Sequence, residues 1–128
     1  MKLLLDTHAF IWWDSDPTRL SQRVMALCQS SSTTLLLSVA SVWEMQIKQQ
    51  LGKLQLRVPL AGLIAAQQQT NGLEVLPVQI DHVLALDNLP LHHKDPFDRL
   101  LISQSQVEDA ILVSADSVFS QYPVTVLW

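Results

Sequence analysis

The chain has 128 residues, 48% of them hydrophobic and only 16% charged, with a formal net charge of −4. That is the length of one domain with a filled interior, and it excludes a disordered chain. The negative charge excludes a protein that grips nucleic acid through charge alone, but not an acidic site that recruits a cation before it meets phosphate.

In chain order, "KLLL" (2–5) reads as a buried strand and "THAFIWW" as a helical turn or two, ended by the turn cluster "DSDP" (14–17). A helix is expected over 18–29, with Leu20, Val24 and Leu27 on one stripe, then a loop at "SSSTT" (30–34). "LLL" (35–37) is a second strand; Ser38 caps a helix from Val39 to Leu51, and Gly52 ends it as a left-handed cap. Residues 55–59 are expected to be extended, and Pro59 opens a helix that the "NG" after Thr70 stops. A third strand covers 73–78, a short helix 80–89, and "PLHH" a loop. Pro96 begins a helix that reaches about Val107, followed by a strand at 110–114, a helical turn at 116–122 and a last strand at 124–128. The strands are continuous apolar runs alternating with helices. This predicts a single three-layer α/β domain over 1–128, with a central, mainly parallel sheet of four to five short strands.

Cys28 is the only cysteine, so no intrachain disulfide and no cysteine-rich metal site can form, and a cytoplasmic setting is expected. No secretory leader is expected, since only three leucines separate Met1-Lys2 from Asp6. No membrane span is expected either: the longest uncharged run, Val24 to Trp43, is broken by "QSSSTT".

Four carboxylates interrupt apolar segments. Asp6 follows the first strand, Asp116 follows "ILVSA", Glu44 sits inside "SVASVWEMQI", and Asp98 opens "RLLISQS". Ligands of open α/β sheets bind outside the carboxyl ends of the strands, and that is where all four should converge. Each also has a plainer reading. Asp6 and Asp116 are good helix caps, and Glu44 can pair with Lys48 four residues on. Asp95 is a favoured cap before Pro96, and Asp98 suits the first helical turn. Four coincidences on one edge are what the plainer readings require together. Converging carboxylates push at least one pKa up unless a cation neutralises them, and an all-oxygen set suits Mg²⁺ or Mn²⁺ better than zinc. Such an ion with open positions is the equipment of phosphoryl chemistry.

Four segments together resemble the PIN-domain ribonucleases, specifically the VapC-type toxins: "LLLDTHAFIWW", "SVASVWEMQIKQQLGKL", "HHKDPFDRLLISQS" and "ILVSADSVFSQYPVTVLW". The resemblance spans essentially the whole chain. It carries the family's acidic quartet onto Asp6, Glu44, Asp98 and Asp116, with serines in "ISQS" where similar toxins have alanines. It implies magnesium-dependent cleavage of RNA, a homodimer, and inhibition by a cognate antitoxin. The roles expected are Asp6 and Asp98 on the metal, Glu44 and Asp116 completing the shell or orienting water, and Thr7 and Ser114 in support, with Asp95 as the cap. Lys48, Lys53, Arg57, Lys94 and Arg99 are candidate phosphate contacts beside the plainer reading of solvated charge. His8, His92 and His93 are candidate acids or bases beside a structural reading. Of the adjacent pair Trp12 and Trp13, one is expected at an interface.

Two rival functions are open to the same residues. A haloacid-dehalogenase-like phosphatase also starts from a strand ending in Asp, but it needs a second Asp where this chain has His8. A catalytically silent PIN-fold binding module would use the acids only to meet a basic partner. DNA cleavage in place of RNA cleavage stays open on these grounds.

Overall fold

The chain begins with β1 (Lys2–Leu5) and α1 (Thr7–Ser15), then passes a 3₁₀ turn at Pro17–Arg19 into α2 (Gln22–Gln29). It returns as β2 (Thr34–Ser38), which runs directly into α3 (Val39–Gln50). After α4 (Leu60–Asn71) come β3 (Glu74–Leu76), α5 (Ile80–Leu84) and a 3₁₀ turn at Ala85–Asn88. Then follow α6 (Pro96–Glu108), β4 (Ile111–Val113), a 3₁₀ turn at Ser117–Gln121 and β5 (Val126–Leu127). The computed structural model describes residues 1–128.

The five strands form one sheet in the order β3-β2-β1-β4-β5, and every pairing is parallel. β1 lies at the centre, with Leu3 opposite Leu35 on one side and Ile111 on the other. The strands read as continuous apolar runs because both faces are covered. Leu3, Leu5, Leu35, Leu37 and Val113 join Phe10 of α1, Val24 of α2, Met45 of α3 and Leu63 of α4 in one buried cluster. Leu4, Leu36 and Leu112 point the other way and meet Leu101 and Ile102 of α6 together with Phe119 and Tyr122. Helix, sheet and helix thus make the three expected layers.

Several boundaries differ from expectation for local reasons. The helix expected from residue 18 begins only at Gln22, because the Ser21 hydroxyl accepts the Val24 N–H at 3.1 Å and Leu20 is extended (φ −77°, ψ 148°). The third strand stops at Leu76, before Pro77, which has no N–H to give the ladder. The helix expected over 80–89 divides into α5 and a 3₁₀ turn, and residues 55–59 join no sheet. Gly52 does take the left-handed conformation (φ +72°), with its N–H on the Gln49 carbonyl.

The chain adds β2 and then β3 on one side of β1, and crosses to add β4 and β5 on the other. The strand order therefore reverses at β1, and the crevice between the ends of β1 and β4 is the topological switch point where such sheets place ligands.

Candidate active site

Asp6 leaves the end of β1 with its backbone N–H on the Val113 carbonyl of β4, at 3.0 Å. Its carboxylate caps α1, accepting the Ala9 N–H at 2.8 Å, and the residue is buried. Burial raises its pKa above the ordinary range; the Ser114 hydroxyl, the Ala9 N–H and the charge of His8 draw it back, and the Asp116 charge adds to the rise. Ser114, also buried, accepts the Asp116 N–H at 3.0 Å. Asp116 is exposed and caps its 3₁₀ turn through the Val118 N–H at 3.0 Å.

Glu44 projects from the second turn of α3. Its Oε1 accepts the Thr7 hydroxyl at 2.5 Å, and its Oε2 lies 3.2 Å from Lys48 Nζ. Asp98 stands in the first turn of α6, where Asp95 caps the helix by accepting the Asp98 N–H at 3.1 Å. The Asp98 side chain meets His93 Nε2 at 2.7 Å. Burial raises the Asp98 pKa to about 6; the His93 hydrogen bond and charge lower it, and the Asp95 and Glu44 charges raise it.

The capping reading and the converging reading both describe real geometry. Asp6, Asp95 and Asp116 all cap, each through Oδ1. The four expected acids also face one edge, as two charge-coupled pairs: Asp6 with Asp116, and Asp98 with Glu44. Thr7, next to Asp6, links the pairs through its bond to Glu44. The convergence is looser than expected in one respect. The three metal-type donors whose ligand atoms all lie within 4.8 Å of one another are His93, Asp95 and Asp98, and no three of the quartet meet that limit.

The supporting residues divide. Thr7 and Ser114 touch the acids as expected. Lys48 is engaged with Glu44 at the site's rim, while Lys94, Lys53 and Arg57 are exposed. Arg99 turns away from a phosphate role: its guanidinium is held by the Pro90 carbonyl at 2.8 Å and the Leu86 carbonyl at 3.5 Å, and it staples that loop to α6. His92 packs edge-on against Tyr122, and His8 is exposed beside Trp12. Trp12 and Trp13 are half-buried, the first against Trp128 and under the Arg19 guanidinium, the second near Phe10. The aromatic that stands exposed is Trp43, at 60%. His93 is the residue whose place the sequence hides, because its contact with Asp98 depends on how the loop before Pro96 folds back.

The donor set fits a hard divalent cation. It is carboxylate-rich and has no cysteine, and Asp6 and Asp98 both carry raised pKa values that a positive charge would relieve.

The PIN domain family matches residues 3–124 of the chain. No curated protein matches the sequence. Among solved structures, VapBC2 from Rickettsia felis, bound to a DNA fragment from its promoter, superposes with a TM-score of 0.75 at 16% identity over 99% of this chain and 98% of that one. DNA-bound VapBC from Salmonella typhimurium gives 0.68 at 13% over 99% and 97%, and FitAcB from Neisseria gonorrhoeae gives 0.62 at 16% over 98% and 96%. At such identities the likeness is one of fold, and it covers both chains nearly end to end. With a family match from Leu3 to Val124 on a five-stranded parallel sheet whose carboxyl edge gathers the acids, the chain belongs to the PIN-domain family.

Proposed function

We propose that the protein is the toxin of a VapC-type toxin–antitoxin pair, a Mg²⁺-dependent endoribonuclease (Mn²⁺ serving as well) that leaves 5′-phosphate and 3′-hydroxyl ends. The observation that carries the reading is the carboxyl edge, where Asp6, Glu44, Asp98 and Asp116 come from four distant segments and two of them are held at raised pKa. The fold shared with VapBC and FitAcB supports an antitoxin partner.

In this reading Asp6 and Asp98 hold the cation directly, and Glu44 and Asp116 complete its shell or orient the attacking water. A divalent cation bound there supplies Lewis acidity to the scissile phosphate and lowers the pKa of bound water. The rest is done by the chain. Thr7 fixes the Glu44 carboxylate through the 2.5 Å bond, and Ser114 fixes the backbone that presents Asp116. Asp116 is exposed and so free to accept a proton from water at the open side. Lys48, 3.2 Å from Glu44, and the exposed Lys94 stand where the RNA backbone would approach. Without a cation the four carboxylates repel phosphate, so binding of RNA and of cation are linked.

A homodimer belongs to the same reading. It is supported by an apolar groove between α3 and the start of α6, about 660 Å³ in volume and lined by Val39, Trp43, Ile47, Phe97 and Leu100 among others. No helix is long and apolar enough to cross a membrane.

The test is RNA incubated with the protein and Mg²⁺, with the ends probed by a 5′-phosphate-dependent exonuclease. Cleavage lost in EDTA and in Asp6→Asn, with 5′-phosphate ends, is expected. Cyclic-phosphate ends or EDTA-resistant cleavage would replace the cation with the histidines. Cation binding without any cleavage of RNA would favour the silent binding module.

A further inference from the structure

One side chain in the densest donor group lies outside the acidic quartet. His93 Nε2 is 2.7 Å from Asp98 Oδ2, and the ligand atoms of His93, Asp95 and Asp98 all lie within 4.8 Å of one another. Two ligands adjacent in the shell of an ion, each about 2.1 Å from it, are about 3 Å apart, and opposite ones about 4.2 Å. The trio's limit of 4.8 Å exceeds the span of a single coordination sphere by about 0.6 Å, which small side-chain rotations can close.

The segment that carries His93 is pinned at both ends. Arg99 holds the Pro90 carbonyl at 2.8 Å, and Asp95 caps α6 through the Asp98 N–H. Beside it, His92 is packed against Tyr122. The cap uses Asp95 Oδ1. All three residues are half-buried, so the imidazole gives up part of its hydration to stand there.

We infer that His93 is a nitrogen ligand of the cation site and makes that site prefer Mn²⁺ to Mg²⁺. The inference rests on the carboxylate edge being a cation site, as proposed above. Mg²⁺ gains little from imidazole, since it keeps oxygen ligands and water. Mn²⁺ shares the preference of Mg²⁺ for carboxylate and water but is the first member of the transition series, along which affinity for sites with nitrogen donors rises, so a single imidazole added to carboxylates favours it over Mg²⁺. One imidazole and no thiolate is too little nitrogen and sulfur for a structural zinc site.

The experiment measures Mn²⁺ and Mg²⁺ binding separately, by calorimetry on the full chain, for wild type, His93→Gln and Asp6→Asn. The wild type should bind Mn²⁺ more tightly than Mg²⁺. His93→Gln should weaken Mn²⁺ by about tenfold or more, in the range seen when a metal site loses a supporting group, and leave Mg²⁺ within about twofold. Co²⁺-loaded wild type should also show a hyperfine-shifted, solvent-exchangeable imidazole N–H resonance that His93→Gln lacks. Equal weakening of both ions would make His93 only an orienting partner of Asp98, and that overturns the inference, as does unchanged Mn²⁺ binding. Either result leaves the functional reading standing. That reading fails separately if Asp6→Asn binds both ions as wild type does.

Discussion

Asp95 and Asp98 are three positions apart on the first turn of one helix and do different work. Asp95 satisfies a backbone donor; Asp98 caps nothing and stands in a charged, partly desolvated corner. Asp95→Ala should cost about 1 kcal/mol of stability, as other lost caps do, and Asp95→Asn should restore it, because the amide oxygen can take the same N–H. Asp98 gives a pH signature in the metal-free protein. Its folded pKa is about 6 against an ordinary 3.8, so between these values the folded chain holds more proton than the unfolded one. Stability therefore falls as pH rises through that window, by up to about 1.4 kcal/mol per pH unit for one such group. The buried Asp6, also raised, adds a contribution of the same sign. Melts in EDTA at pH 5 and pH 7.5 should show the higher Tm at pH 5, and Asp98→Asn should flatten the difference. A Tm that rises with pH would contradict this account of the corner. Cys28, its thiol pushed up to about 11 by burial, has no part in this chemistry.

At the level of elements, the legible features were those whose cause is local. β1 and β2 announce themselves as unbroken leucine runs, and Ser38, Gly52 and Asp95 mark helix ends by chemistry that needs no tertiary partner. The acids at the strand ends were legible too, because an Asp after "KLLL" or "ILVSA" has few other places to go. What the sequence hid depends on contacts across the fold. Nothing near residue 82 in the chain shows that its imidazole is fully buried, with Nδ1 accepting the Gln79 N–H at 3.0 Å and Nε2 meeting Glu108 at 2.9 Å. That pairing clips α5 to the far end of α6. His82→Phe orphans the Gln79 N–H and should cost about 1–3 kcal/mol, read from urea melts. Mn²⁺ affinity should not change, since Asp98 stands at the opposite end of α6. A loss of cation binding in a folded His82→Phe protein would mean that α6 transmits strain along its length. The contact of His93 with Asp98 was hidden for a different reason: it is set by how the loop before Pro96 folds back.

For the molecule as a whole, the exposed aromatic surface is what the proposed dimer would cover. Trp43 is 60% exposed and stands edge-on to Phe97, with ring centroids 5.3 Å apart. Trp12 and Trp13, one of which the sequence places at an interface, are half-buried against Trp128 and near Phe10 and are less exposed than Trp43. An apolar groove of this kind on a −4 chain is a surface to be covered. Light scattering should give a dimer mass for wild type and a monomer mass for Trp43→Arg, with Tm little changed because the residue lies largely outside the core. An unchanged mass in the variant would move the dimer contact elsewhere.

β1 occupies the middle of the sheet although it is the first of the five strands along the chain, and its neighbour β4 is the fourth. A chain still on the ribosome has Asp6 and Glu44 long before it has Asp98, Ser114 or Asp116, and it has nothing to zip against the open side of β1. The carboxylate edge is complete only once β4 has docked against β1 and brought Ser114 and Asp116 with it. Under the proposed function, chains cut short of β4 should therefore be inert, and a partner that needs the completed edge can bind only after β4 has docked.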